Sequence, residues 1–294
     1  MNNFSHIPVL LTETIDALQV RTGGKIVDAT LGGGGHTKLI IQNGGIVLGI
    51  DQDQDALDYV GEIQKVAIKE KKLTLVKGNF RDIKALVEDN SFAPVDGVLF
   101  DLGVSSYQLD AAARGFSIKK DERLDMRMDQ QNPLSAFEVV NKYSPDELTD
   151  IFVRYGEEHN AKKIAQEIAF HRKKKEIETT KELASIIERV GHKSEAIHPA
   201  TRVFQAIRIE VNGELTAAKK GIEDSVTLLK PGGRIAVISF HSLEDRITKQ
   251  VFERFRRLNL GVAITKKPLT AGYQESIKNR RARSAKLRVF EKYA

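Results

Sequence analysis

Residues 28–37 read Asp-Ala-Thr-Leu-Gly-Gly-Gly-Gly-His-Thr, a run of four glycines between an acidic residue and the start of a helical pattern. Glycine removes the side chain where a ligand must approach the backbone, and a helix that begins just beyond offers free N–H donors. Asp51 stands 19 residues after Gly32. At that spacing a carboxylate at the end of the second strand of a nucleotide-binding α/β unit accepts both hydroxyls of a ribose. Other polar residues close short apolar runs: Asp28 and Thr30, Asn79, Asp101, then His241 and Ser242. Ligands of open parallel α/β sheets bind beyond the carboxyl ends of the strands. One polar strand end is an ordinary helix cap, whereas several in register point to a shared site.

The ligand class follows from what the glycine segment lacks. A dinucleotide fingerprint places a third glycine or alanine three residues after the second, but Thr37 follows Gly34 and Lys38 follows Gly35 at that distance. A phosphate-cradling loop runs from glycine into Lys-Ser/Thr, and here it runs into His36-Thr37. Asp28, four residues before the glycines, suits a ligand with a cation near the turn and would repel a pyrophosphate. S-adenosylmethionine carries an ammonium and a sulfonium and no phosphate. The candidate cofactor contacts on this reading are Asp28, Gly32, Gly34, Gly35 and Asp51. His36 reads as a helix cap or a contact, and Phe80 as a core aromatic or a stacking surface for adenine.

Parallel strands joined by helices must position these residues. Strand patterns fall at 25–30, 45–51, 73–79, 97–103, 234–240, 261–267 and 286–293. Between the fourth and fifth lie 130 residues, against roughly 20 to 30 for a one-helix crossover. The surplus is helical: Leu183, Ile186, Ile187 and Val190 repeat at i, i+3, i+4 and i+7. A last helix containing Leu215, Ala218, Ile222, Val226 and Leu229 is expected to end at Pro231-Gly232-Gly233 and to belong to the core. The expected organisation is a doubly wound α/β core of residues 1–104 and 211–294, with seven mostly parallel strands, interrupted by an all-helical domain at 105–210.

Lysine and arginine outnumber aspartate and glutamate by 46 to 40, a net charge of +6 that favours a polyanionic partner. Residues 277–290 hold six basic side chains and no acidic one, and a second cluster, HRKKK, occupies 171–175. Each is expected to be either a nucleic-acid contact or a solvated face. Cysteine is absent, which excludes disulfides, zinc–thiolate sites and iron–sulfur chemistry, and with them the cysteine attack that carbon-5 methylation of a pyrimidine requires. No metal is assigned. No run of about 18 apolar residues occurs, and the start MNNFSHIPVLLTET lacks the layout of a signal peptide, so the cytoplasm is the expected location and no membrane partner is expected.

The segments DATLGGGGHT, DLGVSSYQLD, GFSIKKDERLDMRMD, HPATRVFQAIRIEVN and ISFHSLEDR together resemble the bacterial small-subunit ribosomal RNA cytosine-N4 methyltransferases, which modify a cytosine in the decoding centre. The resemblance runs nearly end to end. It implies a class I S-adenosylmethionine methyltransferase fold with an inserted helical, substrate-binding domain, and as partner small-subunit ribosomal RNA or the assembled subunit. Carried over by motif, the cofactor contacts are Gly34, Gly35, His36, Asp51, Phe80, Asp101 and Gln108. Many amino-group methyltransferases follow the acid ending strand four with Pro-Pro-Tyr, whereas this chain has Asp101-Leu102-Gly103-Val104. The acid is kept and the stacking geometry is not. Asp101 is the candidate catalytic residue, Tyr107 a candidate aromatic face for the base, and His241, Arg280, Arg281 and Arg283 candidate substrate contacts. Two other readings stay open from residues alone: a nicotinamide-dependent oxidoreductase on a related sheet, disfavoured by the fingerprint, and a non-catalytic RNA-binding protein. The choice of N4 rests on the resemblance.

Overall fold

The computed structural model describes residues 8–104, 114–190 and 198–294. Its contacts divide the chain into two compact units, Met1–Gly103 with Leu215–Ala294, and Val104–Glu214.

The first unit is built on a seven-stranded sheet: β1 (Lys25–Asp28), β2 (Ile46–Asp51), β3 (Leu73–Lys77), β4 (Val95–Asp101), β5 (Leu229–Ser239), β6 (Gly261–Ala263) and β7 (Lys286–Lys292). The strand order is β3-β2-β1-β4-β5-β7-β6. β1 to β5 pair in parallel, and β7 runs antiparallel to both β5 and β6. The central strands are nearly continuous apolar runs because both faces are covered. Their side chains alternate between two cores with the two-residue period of a strand. On one face Val27, Leu48, Ile50, Val98, Phe100, Ile235 and Val237 pack together. The helices there are α5 (Ile83–Asp89), through Ile83 and Val87, α11 (Glu214–Leu228), through Ala218, Ile222 and Val226, and α12 (Ser242–Arg257), through Val251, Phe252 and Phe255. On the other face Ile26, Val47, Leu99, Ala236 and Ile238 meet α1 (Leu11–Leu18), α2 (Gly35–Gln42), α3 (Gln54–Ile63) and α4 (Lys65–Lys69).

Two strand boundaries differ from the sequence expectation by four residues or more. α11 ends at Leu228, and Leu229 already pairs with Val95, so Pro231-Gly232-Gly233 lie inside β5. The pairing register shifts between Val95 and Gly97, and Gly232 takes φ 75°, a bulge that absorbs the proline where a ladder bond would be lost. β6 stops at Ala263 instead of reaching 267; Ile264 N–H still donates to the Val289 carbonyl, but Thr265 Oγ1 accepts the Val289 N–H and Leu269 pairs with Leu287 beyond it.

The second unit is helical in its described residues. Its elements are α6 (Ala136–Lys142), α7 (Pro145–Gly156), α8 (Ala161–Arg172), α9 (Thr180–Val190) and α10 (Thr201–Asn212). Capping boxes start the first two: Ser135 with Glu138, and Ser144 with Glu147 followed by Pro145 at the first helical position. One core joins Leu148, Ile151 and Phe152 of α7, Ile164 and Ile168 of α8, Leu183, Ile186 and Ile187 of α9, and Val203, Phe204 and Ile207 of α10. The compact unit extends past residue 210 because Val211 still belongs to this core and Glu214 accepts two bonds from Arg208. Gly213, at φ 59°, ends α10 and lets the chain turn into α11.

Candidate active site

Parallel register brings the acidic strand ends to one edge of the sheet. Asp28 closes β1 opposite Gly49 and Leu99, and Asp51 and Asp101 lie two residues beyond those partners as the last residues of β2 and β4. The glycine turn rises from the same edge. Leu31 N–H donates to the Ile50 carbonyl and Gly34 N–H to the Leu31 carbonyl. Gly34 then takes φ 71°, the left-handed region that glycine enters without strain, and α2 begins. A Cβ on Gly35 would collide with the Pro8 ring, so the N-terminal segment lies directly on the helix start.

Each carboxylate is held by specific donors. Asp28, 1% exposed, accepts from Thr37 Oγ1 at 2.7 Å and from Thr30 N–H at 3.3 Å. Burial pushes it up to about 6 against those two bonds. Asp51 Oδ2 accepts from Gly32 N–H at 2.8 Å and Oδ1 from Asp53 N–H at 2.9 Å, which ties the glycine turn to the end of β2. Burial raises Asp51 to about 6, opposed by those N–H bonds and assisted by the charges of Asp53 and Asp28. At Asp101 the backbone N–H donates to Thr30 Oγ1 at 2.6 Å, while side-chain Oδ1 is buried with no hydrogen-bond partner among the described residues. Burial first, then the charges of Asp28 and Glu244, push Asp101 up to about 8, with Arg281 pulling the other way. Three carboxylates forced towards neutrality at one edge, one with an orphaned oxygen, form a site for a ligand that brings positive charge.

The remaining sequence candidates divide. His36 is 5% exposed in the first turn of α2, with Nε2 at 3.2 Å from the Val9 carbonyl oxygen and Nδ1 at 3.6 Å from Asp101 Oδ2, so it faces the acid as well as opening the helix. Phe80 opens a short 3₁₀ turn after β3 and packs edge-to-face on Phe100 at 5.8 Å, which makes it part of the core rim while it stays partly exposed. Asn79, just before it, caps that turn and donates to Gln52 Oε1. His241 is the N-cap of α12, paired with Glu244: Glu244 Oε2 accepts from Phe240 and His241 N–H, and Oε1 lies 3.1 Å from His241 Nε2. That capping box engages Nδ1, which accepts from Glu244 N–H at 3.4 Å, while the buried Nε2 has no hydrogen-bond partner among the described residues. Arg280 and Arg283 lie in the 3₁₀ turn Arg280–Ser284 with exposed side chains, whereas the charge of Arg281 acts on Asp101. The basic triplet is therefore split between surface and site. In the 171–175 cluster, Arg172 donates to the Val140 and Tyr143 carbonyls, a structural tie rather than a free charge. Tyr107 and Gln108 lie outside the described residues.

Sequence reasoning does not single out Glu244 or Thr37. The spacing of His241 to Glu244 is the capping-box signal that reveals the first, and Thr37 is legible only once α2 is seen to turn its first face back on Asp28.

A 3-2-1-4-5-7-6 sheet with an antiparallel seventh strand, a glycine turn after β1 and acids ending β1, β2 and β4 define a class I S-adenosylmethionine-dependent methyltransferase. Comparison with known sequences places it more narrowly. The chain belongs to the MraW methylase family, whose family model matches residues 3–293. It is 50% identical over 308 residues to the ribosomal RNA small subunit methyltransferase H of Carboxydothermus hydrogenoformans, covering 98% of each chain. It is 47% identical over 311 residues to the protein of the same name from Brevibacillus brevis, covering 99% of this chain and 98% of that one. Among solved structures, an rRNA methylase from Streptococcus thermophilus aligns with 99% of this chain and 100% of its own at 13% identity, with a TM-score of 0.47.

Proposed function

We propose that this methyltransferase modifies the exocyclic N4 amine of a cytosine in small-subunit ribosomal RNA, in the cytoplasm, with Asp101 as its catalytic residue. The RNA class is supported by the two near-full-length relatives, both named for the small ribosomal subunit, and cytosine N4 by the family resemblance of the sequence motifs. Among the described residues no helix is long and apolar enough to cross a membrane. The absence of cysteine removes covalent attack on the ring and leaves direct transfer to a heteroatom.

S-adenosylmethionine, when bound, supplies an electrophilic methyl group on a positively charged sulfur. Asp51 is suited to hold its ribose hydroxyls, Asp28 its ammonium, and the Gly32–Gly35 turn to let its amino-acid moiety approach the backbone. Phe80 offers an accessible ring face to the adenine.

The observation that carries the chemistry is the buried, unpartnered Oδ1 of Asp101 at the end of β4. The N4 amine of cytosine shares its lone pair with the ring and is a poor nucleophile. A carboxylate that accepts one of its N–H bonds favours pyramidal nitrogen and directs the lone pair towards the methyl group. Cationic charge near Asp101 stabilises the carboxylate against the burial that otherwise protonates it near neutrality. The base must be single-stranded or extruded to reach the pocket. The exposed Arg280 and Arg283 are suited to hold the flanking backbone, and the helical unit to supply further RNA contacts.

Under saturating cofactor and RNA, Asp101→Asn is expected to lower the single-turnover methylation rate by about 100-fold or more, the scale of losing one positioned catalytic group. Full rescue by excess cofactor would reduce Asp101 to a binding residue. Mass analysis of small-subunit RNA nucleosides from cells lacking the protein is expected to show loss of N4-methylated cytidine; an unchanged nucleoside profile would refute the assigned substrate.

A further inference from the structure

The glycines of the turn differ in what surrounds them. A Cβ on Gly33 would meet nothing within 4 Å, whereas one on Gly35 would sit 2.2 Å from Pro8 Cγ. Gly33 leaves open space for a ligand, and Gly35 is the seat of a strap, Pro8–Leu10, laid across the start of α2. All three strap residues are buried. The Val9 carbonyl oxygen lies 3.2 Å from His36 Nε2, so the strap touches both residues that open α2. Leu10 takes φ 51° and ψ 39°, the left-handed region that a residue with a side chain rarely enters. Burial of the Val9 and Leu10 side chains is non-directional and does not select that backbone. Directed bonds do. The Leu10 carbonyl accepts from Thr14 N–H at 2.9 Å and from Thr14 Oγ1 at 2.7 Å, and the Leu10 N–H donates to Glu275 Oε1 at 2.8 Å. Glu275 comes from the far end of the chain, in the first turn of α13 (Tyr273–Lys278). It is half-buried next to the basic segment 277–290, yet among the described residues its carboxylate pairs with no basic side chain and goes to this one backbone N–H, 265 residues away. The turn behind it is anchored: Asn279 N–H donates to the Glu275 carbonyl at 2.7 Å, and Arg283 Nε to the Ser276 carbonyl at 3.0 Å.

We propose that Glu275 is a positioning residue of the cofactor site: it latches Leu10, and the latched strap presses on Gly35 and His36 and holds the glycine turn in its ligand-receiving form. This rests on the assignment of that turn to the cofactor made above. Glu275 acts through the strap and needs no contact with the cofactor. With the latch open, Leu10 is free to leave the left-handed region, Pro8 to lift from Gly35 and the Val9 carbonyl to withdraw from His36. The turn then populates its competent arrangement only part of the time, and apparent affinity falls by that fraction. Once the ligand is bound it restores the turn, so the latch governs KM for the cofactor and leaves the transfer step itself alone.

Calorimetry with S-adenosylhomocysteine reads the latch without turnover. Glu275→Ala is expected to weaken binding about tenfold, the scale of one lost charge-assisted bond. Glu275→Gln, whose amide oxygen still accepts the Leu10 N–H, is expected to stay within about threefold of the wild type. In methylation assays KM for S-adenosylmethionine is expected to rise in the same order, with kcat kept within about twofold. Unaltered affinity in Glu275→Ala, even with a lowered Tm, makes Glu275 a structural tie and overturns the proposal, as does a fall in kcat at saturating cofactor as large as the rise in KM. The seat of the strap is tested separately. Gly35→Ala is expected to weaken binding about tenfold or more by pushing Pro8 off α2. Adding Pro8→Ala is expected to restore much of that affinity, because the nearest atom then remaining at position 8, Cβ, lies 3.4 Å away. No recovery would mean that Gly35 serves the ligand directly and that the strap has no part in the site. Asp51→Ala, measured alongside, locates a failure: if it weakens binding and Glu275→Ala does not, the latch alone is wrong, and if neither does, the assignment of the turn to the cofactor falls with it.

Discussion

Asp28→Asn tests whether the acidic edge is a binding device held at the expense of stability. The carboxylate is 1% exposed, and burial raises it from 3.8 to about 6. Between those values the unfolded chain has lost the proton and the folded protein still holds it. Stability contributed by this group is therefore full below about pH 3.8, falls as pH rises through that window, and is gone above about 6. A rise of that size corresponds to about 3 kcal/mol. Asparagine matches the shape: its oxygen can accept from Thr30 N–H, and its amide can donate to Thr37 Oγ1 once that hydroxyl rotates. The cofactor-free variant is expected to match the wild type near pH 4 and to exceed it near pH 8 by about 1–3 kcal/mol, or roughly 2–4 °C in Tm per kcal/mol for a unit of this size. Its affinity for S-adenosylmethionine at pH 8 is expected to fall by about tenfold or more, since a charge-assisted bond contributes about 1.5–3 kcal/mol. Scanning calorimetry at the two pH values and isothermal titration decide the matter. Equal stability changes at both pH values, or stabilisation with unaltered affinity, would refute the reasoning.

Other expectations follow from neighbouring residues. Asp51→Ala removes both the ribose acceptor and the tie to Gly32 N–H, and is expected to weaken cofactor binding about 10- to 150-fold, or about 1.5–3 kcal/mol, with the fold retained by circular dichroism; unchanged affinity by calorimetry removes it from the site. The pair Arg280→Ala with Arg283→Ala is expected to weaken RNA binding and to reduce the slope of log affinity against log salt by about 0.7–0.9 per lost phosphate contact, with cofactor affinity intact. An unchanged slope makes that turn a solvated surface. Arg281→Gln is expected to behave differently from its neighbours: it removes the positive charge that lowers Asp101, so the pH at which methylation reaches half its maximum moves upward. A uniform rate loss with the same pH profile would separate Arg281 from Asp101.

The strands and most of the acidic edge are legible in the sequence because both depend on local pattern. Apolar runs ending in Asp28, Asp51 and Asp101 need only parallel pairing to meet, and the glycine turn declares its own backbone requirement. The bulge in β5 is not legible, since Pro231-Gly232-Gly233 reads locally as a stop and only the pairing of Leu229 with Val95 shows the strand beginning before it. The basic segment 277–290 reads as one surface because sequence gives charge without direction. In the folded chain Arg281 acts on the acid, Arg288 bonds Asp245 at 2.6 Å, and Arg280 and Arg283 remain outward.

The same limit explains why His241 and His36 exchange weight between sequence and structure. Both precede or open a helix at a strand end, and a helix start is satisfied by either a cap or a ligand. What separates them is their position in the first turn. Glu244 closes a capping box around His241 and engages its Nδ1. His36 is the second residue of α2, behind the N-cap Gly34, and its ring turns inward to Val9 and Asp101.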